Sequence, residues 1–160
     1  MIYPEFFPID RKNEFAENKV FDQLKRLSET YDIFYSRKFI TDGVGKKPEY
    51  EIDFIIAIPE KAIICLEVKG GIINYSGAKD EWSQNSRVMS KRPDSQASSA
   101  MHALIKGFYD LIGDMAIGWG LCFPDGDLNS KALPTSLDSN QIIDQLSLLH
   151  LDKALEFLFD

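Results

Sequence analysis

Cysteine, histidine and basic charge are all scarce in this sequence. The two cysteines, Cys65 and Cys122, lie far apart inside apolar segments, and the two histidines, His102 and His150, show no C-x-x-C or H-x-x-x-H spacing. This argues against a disulfide-stapled scaffold and against zinc. Buried free thiols in a reducing, cytoplasmic compartment fit better, with a disulfide as the alternative. No apolar run approaches the roughly 20 residues of a membrane-spanning helix, so no membrane partner is expected. The start, Met1-Ile2-Tyr3-Pro4-Glu5-Phe6-Phe7-Pro8, lacks the basic and apolar regions of a secretory signal. Gly70-Gly71 and Gly118-Trp119-Gly120 fit no phosphate-cradling loop.

Lysine and arginine number 18 against 25 acids, a net charge of −7. That weighs against a general nucleic-acid coat protein. The acidity is uneven, however. Between Pro134 and Asp160, five acids (Asp138, Asp144, Asp152, Glu156, Asp160) face one base, Lys153, which gives −4 and leaves −3 for residues 1–133. The clusters Lys46-Lys47 and Arg87, Lys91, Arg92 read as solvated faces, with phosphate contact as the alternative.

What is present is the material of one globular domain: 160 residues, 44% hydrophobic and 27% charged. Val20, Phe21, Leu24 and Leu27 recur at helical spacing, predicting a helix over 14–29 with Asp10 or Asn13 as its cap. Strands are predicted over 33–40, 52–58 and 62–68, the last two forming an antiparallel hairpin about Pro59-Glu60-Lys61. Short decorating strands are expected over 72–90. A second helix should begin at Pro93 and stop at Gly113, followed by a strand over 117–123. Residues 140–159 are helical by composition. This order predicts an α/β fold, a mixed sheet with helices on its faces and a C-terminal helical tail.

Three carboxylates break the pattern that surrounds them, as residues at functional sites often do. Ile63-Ile64-Cys65-Leu66 is apolar on both faces, and it leads into Glu67 and Lys69, which share one face because side chains alternate along a strand. Asp53 interrupts an apolar strand and the hairpin sets it across from the Glu67 region. Glu17 falls within the apolar stripe of the first helix, with Glu14 as the competing candidate. Each has an ordinary alternative: a strand-end ion pair for Glu67 and Lys69, a strand-end role for Asp53, a helix-edge acid reaching water for Glu17. Grouped carboxylates repel one another unless a hard cation such as Mg²⁺ lies between them. Such a cation serves phosphodiester hydrolysis, with the lysine orienting water and neutralising developing charge.

At this point the residues resemble a family. Glu51-Ile52-Asp53-Phe54 followed by Glu67-Val68-Lys69-Gly70-Gly71 is similar to the nuclease-related domain, NERD, of the PD-(D/E)XK superfamily. Ala16-Glu17-Asn18-Lys19-Val20 resembles its first acidic motif. Trp82 and Arg92-Pro93-Asp94-Ser95-Gln96-Ala97 resemble its later segment, and 117–124 its following strand. The resemblance spans about residues 14–125. It implies a restriction-endonuclease-like fold, with Asp53 and Glu67 as ligands of Mg²⁺ or Mn²⁺, Glu17 as a further ligand acting directly or through water, and Lys69 as the catalytic lysine. Gln96 is then an accessory polar residue near the site or the DNA backbone, or simply a polar residue in a helix's first turn. The position before Asp53, often proline in the superfamily, holds Ile52.

The expected function is therefore metal-dependent cleavage of DNA; the alternative is a catalytically silent module that binds DNA or a protein partner. Residues 1–130 are expected to form the nuclease domain and 131–160 a helical extension. Because relatives sit before helicase modules and the apolar pattern runs to the last residue, the sequence is expected to be part of a longer, DNA-processing protein.

Overall fold

Apolar residues on successive strands build the centre of a six-stranded mixed sheet. The structure, a computed structural model, describes residues 1–40, 49–128 and 132–159; Lys46 and Lys47 lie outside them. In chain order the first elements are β1 (Ile2–Tyr3), α1 (Phe15–Lys25), β2 (Asp32–Ile40), β3 (Glu49–Ile58) and β4 (Ala62–Val68). A small antiparallel sheet follows, β5 (Ile73–Ser76), β6 (Glu81–Gln84) and β7 (Arg87–Val88). Then come α2 (Pro93–Gly107), α3 (Tyr109–Ile112), β8 (Ala116–Phe123), β9 (Ile142–Asp144), α4 (Gln145–Leu148) and α5 (Leu151–Phe159).

The main sheet has the order β1-β2-β3-β4-β8-β9. β2, β3 and β4 form an antiparallel meander, and β4, β8 and β9 run parallel. Parallel neighbours need a long crossover, and α2 supplies the one between β4 and β8. Val20, Phe21 and Leu24 of α1 join Leu151 and Leu155 of α5 over Phe54, Ile56, Leu66 and Cys122. Ala100 and Leu104 of α2 pack instead with Ile52 and Cys65. Fully burying a side chain such as Phe21 or Leu155 contributes about 1.5–3 kcal/mol, so the two faces fix the helices on the strands. Both thiols are free and buried, as expected. Among the described residues no helix is long and apolar enough to cross a membrane.

The sequence-based expectations need three corrections. The tail is not wholly helical: Ile142–Asp144 adds a strand beside β8, because a short β-branched pair takes the state its neighbour offers. Ile143, Leu151 and Leu155 of the tail belong to the core that holds α1. The second helix ends at Gly107, where Phe108 leaves helical geometry at φ −128, ψ 28, before the short α3. Finally, α1 starts from Glu14 with no side-chain cap, so neither Asp10 nor Asn13 serves as one. The predicted hairpin and decorating strands are present.

Candidate active site

The register of β3 and β4 decides where the acids go. Pairing runs from Ile58↔Ala62 to Phe54↔Leu66 and stops there. One step further along the same register, Asp53 faces Glu67. At that step a carboxylate replaces main-chain pairing: the Val68 N–H donates to Asp53 Oδ2 at 2.8 Å. Lys69, on the far side of Val68, is tied to β8 through its own N–H, which donates to the Cys122 carbonyl at 3.0 Å. Its Nζ stands 3.3 Å from Glu67 Oε1. Asp53 and Glu67 are only 8% and 7% exposed.

The N-terminal end of α1 is brought against this strand end by a close approach at Gly70. A Cβ there would lie 2.7 Å from the Ala16 Cβ, so only glycine lets the helix come so near. Asp125 fastens the same corner, accepting from the Gly71 N–H at 2.8 Å and pairing with Lys19 at 2.5 Å. The helix therefore delivers Glu17 to the cleft that Asp53 and Glu67 line. There the Tyr35 hydroxyl donates to Glu17 Oε2, and Arg11 lies 3.8 Å from the same oxygen. Arg11 also bonds Glu51 Oε1 at 3.1 Å, and the Ser36 hydroxyl donates to that oxygen at 2.9 Å.

The cleft has a volume of about 1040 Å³. Its acids are Asp10, Glu14, Glu17, Glu51, Asp53 and Glu67, and its cations Arg11, Lys91 and Arg92. Two of these cations are occupied within the fold, Arg11 by Glu51 and Glu17, and Arg92 by Asp80 and Asp94. Burial, then the charges of Glu67 and Glu17, hold the Asp53 carboxyl well above the usual range, against the Val68 N–H and Lys69. Glu67 is raised mainly by burial, with Lys69 opposing. Glu17 is raised mainly by burial, with the Tyr35 hydroxyl opposing. Three acids held reluctant to ionise in one cleft are a site that gains from added positive charge.

A hard divalent cation fits this donor set. Two buried carboxylates and Gln96 line the same cleft, and the Gln96 Oε1 is buried without a hydrogen-bond partner among the described residues. Even so, no three His, Cys, Asp or Glu side chains among the described residues stand together as a ready ligand cluster. The expected trio is thus assembled in one cleft without forming a closed cage, because Tyr35 and Arg11 hold Glu17. Glu14, the competing candidate, lines the cleft but is exposed. Trp82 packs against Phe123 and Tyr75.

Periodicity carried no signal for Arg11, Tyr35 or Asp125. Arg11 sits in a short 3-10 turn, Ile9–Arg11, and Tyr35 reads as an ordinary strand aromatic. Pro124-Asp125-Gly126 reads only as a turn.

Among solved structures, the chain is similar to protein VC1899 from Vibrio cholerae, with a TM-score of 0.48 and 14% identity over 96% of this chain and 37% of that one. The chain therefore spans little more than a third of the length of that protein. No curated protein matches it. The sequence model of the nuclease-related domain matches residues 12–117, a stretch that runs from the turn before Glu17 through Asp53, Glu67, Lys69 and Gln96 into β8. The chain belongs to the nuclease-related domain (NERD) family.

Proposed function

We propose that this chain is a metal-dependent nuclease domain that hydrolyses phosphodiester bonds of DNA. The reading rests on one observation: two buried carboxylates, Asp53 and Glu67, side by side in the strand register, with the Lys69 ammonium 3.3 Å from Glu67. Asp53 and Glu67 would hold Mg²⁺ or Mn²⁺, with Glu17 contributing through water. When bound, the ion supplies Lewis-acid polarisation of the phosphodiester and a water acidified for attack.

The chain's own groups do the rest. Lys69 Nζ orients the attacking water and offsets the negative charge that grows on the phosphoryl oxygens, a role in which one fixed donor contributes about 3–4 kcal/mol. Glu67 keeps that ammonium in place. The Val68 N–H fixes one oxygen of Asp53, a residue that lines the cleft. Gln96 offers an amide to the substrate backbone or to the ion's shell. The burial of both acids excludes water and strengthens each of these electrostatic contacts.

The purified protein should cut DNA with Mg²⁺ or Mn²⁺ and not with EDTA, and Glu67→Ala and Lys69→Ala should each abolish cleavage. Cleavage that survives both substitutions would refute the assignment. The second reading, a silent module that binds DNA or a protein, is favoured by the hold of Tyr35 and Arg11 on Glu17. Tight binding without cleavage under any metal would select it. A place within a larger DNA-processing protein in the cytoplasm, alongside a helicase module, is part of the same proposal.

A further inference from the structure

An acidic cleft on a chain of net charge −7 gives a polyanion no general attraction, so a DNA substrate needs a local cationic anchor. A second cavity of about 640 Å³ adjoins the first, sharing Ser90, Lys91 and Gln96 with it. Its charged groups are Lys69, Arg87 and Lys91, and no aspartate or glutamate is among the described residues that line it. Arg92, next in sequence, is occupied by Asp80 at 2.8 Å and Asp94 at 2.9 Å. Arg87 and Lys91 are exposed and make no ion pair among the described residues.

The element that carries Arg87 is fastened to the candidate active site. Gln84 and Arg87 pair across a two-residue turn in which Asn85 (φ 50) and Ser86 (φ 67) both adopt left-handed geometry, as a type I′ hairpin turn requires. Asn85 then exchanges hydrogen bonds with Ile72: its N–H donates to the Ile72 carbonyl at 2.9 Å, and its Oδ1 accepts from the Ile72 N–H at 2.9 Å. Gln84 Nε2 donates to the Gly70 carbonyl at 2.7 Å. Gly71, at φ 80, lets the tip approach so closely that a Cβ there would come within 2.6 Å of Asn85 Oδ1. The hairpin is thus bolted to the three residues that follow Lys69, bonded to Gly70 and Ile72 and packed on Gly71, which holds Arg87 in a fixed relation to the lysine.

We propose that this second cavity is a phosphate subsite, in which Arg87 and Lys91 hold a non-scissile phosphodiester of the DNA strand whose neighbouring phosphate reacts at Asp53, Glu67 and Lys69. The inference rests on the nuclease reading for its substrate, but its test does not depend on catalysis. Binding of a short fluorescein-labelled DNA duplex is measured by anisotropy in EDTA across a salt series. Arg87→Gln/Lys91→Gln should weaken binding about tenfold and lower the salt slope by about 2. Lys61→Gln/Lys153→Gln removes the same charge outside both cavities and should bind as the unaltered protein does. Arg87→Lys/Lys91→Arg keeps both charges and should retain affinity, which separates lost contacts from misfolding. Affinity unchanged by the first pair of substitutions, or reduced equally by the second, overturns the subsite. DNA binding that needs Arg87 and Lys91 in a protein that cuts nothing would sink the nuclease reading and leave the subsite standing. Cleavage of DNA with affinity indifferent to both residues would do the reverse.

Discussion

Replacing Asp53 by asparagine should make the metal-free protein more stable while removing its response to metal. Asp53 is 8% exposed and accepts the Val68 N–H at 2.8 Å, a contact that an asparagine Oδ1 reproduces. What the substitution removes is a buried negative charge beside Glu67 and Glu17. Relief of that kind is worth about 1–2 kcal/mol, and in a chain of this size each kcal/mol moves Tm by about 2–4 °C. The expected gain is therefore about 2–8 °C.

Its pH dependence has a definite sign. The native state keeps the Asp53 proton above the unfolded value of about 3.9, because burial and two acids raise it. Its contribution to stability is complete below that value and is lost as pH rises through the native value. Asparagine has no proton to lose. The difference in Tm should be near zero at about pH 4 and grow toward alkaline pH. Adding Mn²⁺ at about 100 times its Kd should raise the stability of the unaltered protein by about 2.7 kcal/mol and that of the variant by little. Differential scanning fluorimetry in EDTA and in Mn²⁺, from acid to alkaline pH, reads all of this. An asparagine variant that melts lower at every pH, or gains as much from Mn²⁺, would refute the reasoning.

Other perturbations follow from the packing. Gly70→Ala places a methyl 2.7 Å from the Ala16 Cβ and should cost about 1–3 kcal/mol, with DNA cleavage falling because α1 and Glu17 are displaced; a Tm and activity equal to those of the unaltered protein would contradict this. Leu155→Ala, at a fully buried position of α5, should cost about 2–5 kcal/mol in one cooperative transition, since the tail shares the core of α1. A separate low-temperature transition would show instead that the tail melts alone.

The centre of the site was legible because strand geometry is rigid. Side chains alternate, so Glu67 and Lys69 had to share a face, and the apolar runs on both sides of Pro59-Glu60-Lys61 fixed the hairpin that sets Asp53 opposite. Glu17 was legible as an acid in an apolar stripe. What holds Glu17 was not, because Arg11 and Tyr35 reach it across 6 and 18 residues of chain, and such contacts leave no periodic trace. The strand Ile142–Asp144 escaped for a similar reason: three residues carry no period, and β8 decides their state. Gly70 and Gly71 read as strand breakers. Their actual service is the approach of Ala16 to one and of Asn85 to the other.

The most direct test is a crystal of the protein soaked in Mn²⁺ and measured for anomalous scattering. A peak between the carboxylates of Asp53 and Glu67, absent from the Asp53→Asn variant, is the result expected. Fully formed density for both side chains with no peak between them at saturating Mn²⁺ would contradict the account.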